Sequence, residues 1–159
     1  MKKIIFLFLI FSAMLFAKWE VEISYMTYGA SMTEFVTYDL ENQSSYIGIG
    51  VDVEDFGFST ITIFHEEIRK KSSLVLVVTD NEGEDIYCNF HSDDIQDYCI
   101  KVPTGRASAL TKILYNGKSA ILINRKKGEI LATFDLSGIK QIMEKHVGSS
   151  YWYKYKLND

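Results

Sequence analysis

The sequence predicts a mostly β domain of the α+β kind. We expect an antiparallel β-sandwich or rolled sheet with one C-terminal helix and at most one further short helix. Three observations predict it. Apolar and polar residues alternate through most of the chain, which is the period of a half-buried strand. Turn-forming clusters recur at short intervals, as they do in sandwiches. Of 159 residues, 47% are hydrophobic and 14% aromatic, with a single proline, which excludes disordered and collagen-like chains. No Gly/Ser/Pro linker and no repeat interrupts the pattern, so residues 18–159 read as a single exported domain.

Residues 1–17 read as a secretory signal peptide. Lys2 and Lys3 form its positive end, and Ile4–Phe16 is an uncharged run of 13 residues. A membrane-spanning helix needs about 20 apolar residues, so the run suits a cleaved signal and no membrane anchor is expected after cleavage. Ala17 is the expected cleavage residue, and the short positive end suits a bacterial, periplasmic or secreted protein. Cleavage leaves 142 residues with 15 basic and 21 acidic side chains, a net charge of −6.

In chain order, Trp19, Val21 and Ile23 alternate with Glu20, Glu22 and Ser24 as a first strand. Phe35–Tyr38 is aromatic and β-branched. After the turn cluster 41–45, residues 46–53 place Ile47, Ile49, Val51 and Val53 on one face and Gly48, Gly50 and Asp52 on the other. Glycines there signal a close neighbour or a bulge. Ser59–His65 alternates again. Leu74–Val78 is apolar on both faces and reads as the central strand. Asp80–Gly83 is a hairpin turn. Ile86, Cys88 and Phe90 then share a face, and Ile100 and Val102 form a short strand before Pro103. Leu110, Ile113 and Leu114 fit helical spacing within the ambiguous segment 107–115, with Asn116-Gly117 as a stop. Residues 120–124 and 129–136 form a hairpin around 126–128. Ser137 caps a helix running to about His146, with Ile139, Ile142 and Met143 inward and Gly148 ending it. Tyr151–Leu157 alternates as a final strand.

Export brings Cys88 and Cys99, the chain's two cysteines, into an oxidising compartment, so a disulfide is expected. Its closed loop would be worth roughly 3 kcal/mol. A redox pair would need the cysteines two residues apart, and zinc would need further ligands in register.

Charge is split along the chain. Residues 18–100 hold 4 basic and 17 acidic side chains, and residues 101–159 hold 11 basic and 4 acidic. Either the halves pair within one sheet, or the molecule is dipolar and steers a charged partner. An acidic, exported chain without a recognition motif is not expected to bind nucleic acid.

No catalytic, metal or cofactor motif stands out, so neither a metal nor a cofactor is expected. Asp80, Glu82, Glu84, Asp85, Asp93, Asp94 and Asp97 form an acidic stretch, which is either a solvated rim or a weak cation site. His65 and His91 lie near carboxylates and are the residues that a small envelope hydrolase would use. His146 sits where a helix C-terminus favours a cation. The most distinctive stretch is the tail. Tyr151, Tyr153 and Tyr155 alternate with Trp152, Lys154 and Lys156. Aromatics beside cations bind protein, glycan or anionic groups.

Lys18-Trp19-Glu20-Val21, Val102-Pro103-Thr104-Gly105 and Thr133-Phe134-Asp135-Leu136-Ser137-Gly138-Ile139 resemble segments of the invasion-associated locus B family of exported bacterial proteins. The resemblance implies a small β-rich domain without catalytic residues that takes part in host interaction. Family members carry a cysteine soon after the tryptophan, whereas Cys88 is the first here. Together these readings give an exported, non-enzymatic binding module, host-interacting or inhibitor-like. Its partner is a protein or an envelope glycan, and the tail is the expected binding edge. The alternative is the hydrolase.

Overall fold

The computed structural model describes residues 19–25, 31–52 and 58–148. Among the described residues, ten strands form two antiparallel sheets, and the predicted mostly β, sandwich-like architecture is what folds. The first sheet contains β1 (Glu20–Tyr25), β2 (Ser31–Tyr38), β3 (Tyr46–Asp52), β4 (Ser59–Phe64), β7 (Ile95–Gln96) and β8 (Cys99–Val102), in the order β1-β2-β3-β4-β8-β7. The second contains β5 (Leu74–Asp80), β6 (Asp85–Asn89), β9 (Gly117–Asn124) and β10 (Glu129–Asp135), in the order β10-β9-β5-β6. Leu74–Val78 therefore lies on an interior strand, as its two apolar faces predict. The described residues also form two α-helices, α1 (Thr104–Tyr115) after β8 and α2 (Ile139–His146) after β10. The ambiguous segment 107–115 is helical. It buries Ala107, Leu110, Thr111, Leu114 and Tyr115, and it packs on β4 of one sheet and on β5 and β9 of the other.

Alternation builds the core. Phe35, Ile47, Ile49, Ile61, Ile63 and Ile100 point inward from the first sheet and meet Leu76, Val78, Leu122 and Phe134 from the second. Inside it the Thr111 hydroxyl bonds the Ser59 hydroxyl at 3.2 Å, which satisfies a polar pair between α1 and β4. The glycines of β3 have the close neighbours their sequence position suggests. A Cβ on Gly48 would stand 2.8 Å from Glu34 Oε1, and one on Gly50 would stand 2.5 Å from Thr60 Oγ1.

Polar ties hold the sheets and helices together. The Asp39 carboxylate accepts the backbone N–H groups of Asn42 (2.8 Å) and Thr133 (2.7 Å), and Leu40 N–H donates to Thr133 O at 2.9 Å. These bonds stitch the end of β2 to β10. Trp19 Nε1 donates to Ser137 O at 3.1 Å, anchoring the first strand beside α2.

Two local expectations are corrected. Ile23 shares a face with Trp19 and Val21, yet it is 59% exposed, because β1 is an edge strand that runs beyond the core. Ser137 does not cap α2. Gly138 holds the cap position at φ 86°, and Ser137 N–H instead donates to Asp135 Oδ1 at 2.8 Å. Only glycine adopts that left-handed backbone without strain.

Candidate binding surfaces

The tail residues Tyr151, Trp152, Tyr153, Lys154, Tyr155 and Lys156, and the signal-like segment 1–17, lie outside the described residues. The surfaces below come from the described sheets and loops.

The expected Cys88–Cys99 bridge is not formed; both are free thiols. The reason is the strand period. Ile100 and Val102 of β8 face the core, so Cys99 and Lys101 face the outside of the first sheet. Cys88 lies in the second sheet and lines a cleft of about 190 Å³ with Phe90, Val102, Arg106, Leu110 and Ile113. Burial pushes the Cys88 thiol up to about 11, against the opposing pull of Arg106. Burial likewise raises Cys99, outweighing Lys101. Both therefore stay protonated near neutral pH and react slowly, since the thiolate is the nucleophile. We expect alkylation of denatured, unreduced protein to add two labels per chain, and native labelling to be far slower. A mass two hydrogens lower without reductant would restore the bridge.

His65 is buried, and its Nδ1 accepts Glu67 N–H at 3.0 Å, closing the turn after β4. His91 is exposed, and its backbone N–H donates to Asp94 Oδ2 at 2.8 Å. His146 meets the Phe35 ring edge-on at 6.4 Å. None of the three lines the cleft beside Cys88. In the acidic stretch, Asp80 Oδ1 accepts the N–H groups of Glu82 and Glu84 at 2.8 and 2.9 Å, and Thr79 donates to Asp85 at 2.7 Å. These bonds shape a hairpin turn. Among the described residues, no three His, Cys, Asp or Glu side chains gather as metal ligands. Asp94 leaves this stretch altogether. It is buried and pairs with Arg106 Nη1 at 2.7 Å, joining the acidic half to the basic half.

Two sheet faces point away from the core. On the first sheet, Tyr38, Tyr46 and Phe64 form a row across β2, β3 and β4, with ring centroids 6.4 and 5.6 Å apart. Tyr38 O–H donates to Glu20 Oε2 at 3.1 Å. Glu22 stands opposite Glu34 in register, and burial followed by that like charge raises the Glu34 carboxyl above its usual value. On the second sheet, Val75 and Val77 of β5 lie opposite Ile123 and Ile121 of β9; Val77 also faces Tyr87, and Ile123 faces Ile130. None of these six belongs to the core cluster, which takes the alternate residues Leu74, Leu76, Val78, Ala120 and Leu122. Val75 and Val77 are buried, Ile121 and Ile123 are partly exposed, and Ile130 and Tyr87 are 64% and 58% exposed. The result is an aliphatic, tyrosine-edged face.

Sequence reasoning had a signal for this second face and did not use it. Leu74–Val78 is apolar on both sides, and so is Ala120–Ile123. Two adjacent strands of that kind give one face to the core and leave a second apolar face behind.

Fold and surfaces together define a two-sheet antiparallel α+β sandwich with one strongly aliphatic outer face. No protein-family model, no curated protein and no solved structure matches the chain.

Proposed function

We propose that the protein is an exported, non-enzymatic binding module that docks a protein partner through the outer face of its second sheet. One observation carries the proposal: Val75, Val77, Ile121, Ile123, Ile130 and Tyr87 form a contiguous apolar face outside the core. Isolated exposed apolar residues are ordinary, but contiguous patches mark interaction sites. Aliphatic centres with tyrosine at the margin match the composition of protein interfaces. A host-contact role, as the locus B resemblance implies, is one form of such a module, and an inhibitor-like role is another. Export rests on the signal-like segment 1–17.

The test is a double substitution at partly exposed positions, Ile123→Lys with Ile130→Lys. Surface changes of this kind shift stability by only about 0.5 kcal/mol each. Capture of partners from periplasmic extract or culture fluid, quantified by mass spectrometry, is expected to fall more than tenfold with the thermal midpoint nearly unchanged. Light scattering on the purified protein separates a second copy from a different partner. Undiminished capture by the folded double variant would move the interface elsewhere, first to the tail residues 151–156.

A further inference from the structure

The pairing of β5 with β9 brings two basic segments together at one end of the second sheet. Arg69, Lys70 and Lys71 belong to the connection after β4, and Arg125, Lys126 and Lys127 form the turn between β9 and β10. The segments are tied by Arg125 N–H to Ser73 O at 2.8 Å and by Lys127 Nζ to Glu67 Oε2 at 3.1 Å. Residues 66–72 and 124–129 thus hold six cations and three carboxylates, Glu66, Glu67 and Glu129. Lys127 bridges two of those carboxylates, with Glu129 at 3.4 Å. Arg69 donates to the carbonyls of Glu66 and Ile68 and lies over the Tyr98 ring at 4.6 Å. Lys71 and Lys126 have no carboxylate within 4 Å among the described residues.

Between the segments lies a cleft of about 430 Å³, lined by Glu67, Arg69, Lys71, Ser72, Asn124, Lys126 and Lys127. Sites for small molecules run from about 300 to 1,000 Å³. Asn124, the last residue of β9, is only 3% exposed, and its Oδ1 accepts no hydrogen bond. Buried polar atoms in folded proteins are almost always paired, so an orphan beside a cleft asks for a partner. The Ser72 hydroxyl accepts from Arg69 N–H at 3.2 Å and keeps its own proton to donate.

Two free ammonium groups call for an anion, and an unpaired amide oxygen calls for an O–H donor. One ligand chemistry supplies both within a few ångströms: a sugar carrying a phosphate or carboxylate. We infer that this cleft binds an acidic saccharide, with Lys71 and Lys126 holding the charged group and Asn124 Oδ1 accepting a sugar hydroxyl. This site is separate from the aliphatic face on the same sheet, and it does not depend on that face being an interface.

Calorimetric titration of the purified protein tests the inference with four probes: glucose 6-phosphate, glucuronate, inorganic phosphate and glucose. Both acidic sugars are expected to bind at least tenfold more tightly than phosphate or glucose, and to weaken as salt is raised. The double variant Lys71→Ala, Lys126→Ala loses both by tenfold or more. Asn124→Ala brings the acidic sugars down to the level of phosphate. Should Asn124→Ala fail to fold, Ser72→Ala with the four probes and amide shifts mapped on residues 69–73 and 124–128 carry the test. Equal binding of phosphate and glucose 6-phosphate by the wild type overturns the saccharide assignment. No binding of either acidic sugar overturns the site, as does binding that the lysine pair does not affect.

Discussion

Phe35→Ala is expected to lower the free energy of unfolding by about 3–5 kcal/mol. That is a large share of the roughly 5–15 kcal/mol that holds a domain of this size together. Phe35 is fully buried on β2, opposite Ile49 of β3, and its ring meets the His146 edge of α2. Truncation removes the ring's burial and opens a cavity between the first sheet and α2, where neighbouring strands cannot close in without breaking their ladder. Urea unfolding followed by circular dichroism measures it as a fall in midpoint at constant slope. His146→Ala is the control. His146 is exposed, so its loss is expected to cost less than about 1 kcal/mol. A Phe35→Ala loss no larger than the His146→Ala loss would mean that β2 does not pack as described.

Wherever local alternation decides the structure, the fold was legible. Ile47, Ile49 and Val51 against Gly48 and Gly50 fix both the inner face of β3 and its crowded outer face. The turn at Gly128 and the inward residues Ile139 and Met143 were equally local. The misses were decided by contacts between distant segments. Cys88 and Cys99 are close in the chain, but one lies under α1 and the other on the outside of β8, so sequence proximity and compartment pointed to a bond that the sheets prevent. Arg69–Lys71 lie in the connection after β4 and Lys126–Lys127 in the turn between β9 and β10. Only the pairing of β5 with β9 brings them to one cleft, and nothing local announces that register. The aliphatic outer face shows the same limit. Each strand reveals two apolar sides, and only the sheet order reveals that the second sides adjoin.

The second large effect is expected at the Asp94–Arg106 pair, and it is pH-dependent. Both Asp94 oxygens accept from Arg106 Nη1, at 2.7 and 2.8 Å, and Oδ2 also accepts the His91 backbone N–H. Arg106 Nη2 donates to Asn89 O at 3.1 Å, so the pair pins α1 to β6 and to the short turn before β7. Burial alone would raise the Asp94 carboxyl. The Arg106 bond, the His91 N–H and the guanidinium charge outweigh it and hold the group below its usual value. Arg106→Ala leaves that carboxylate buried without its counter-charge. Because the Arg106 side chain is 44% exposed, the loss near pH 7 is expected at about 1–3 kcal/mol, below that of a fully buried pair. The sign of the pH dependence follows from the lowered value. A depressed carboxyl stabilises the fold fully above its unfolded value of about 3.9 and loses that stabilisation as pH falls through the folded value. The gap between wild type and Arg106→Ala is therefore expected to be widest near pH 7 and to narrow as pH falls, because acid protonates the uncompensated Asp94 of the variant before that of the wild type. Unfolding midpoints from pH 7 to pH 3 measure it. A gap that stays flat down to pH 3, or widens on acidification, would show that Arg106 acts through its packing on α1 and not through the Asp94 charge.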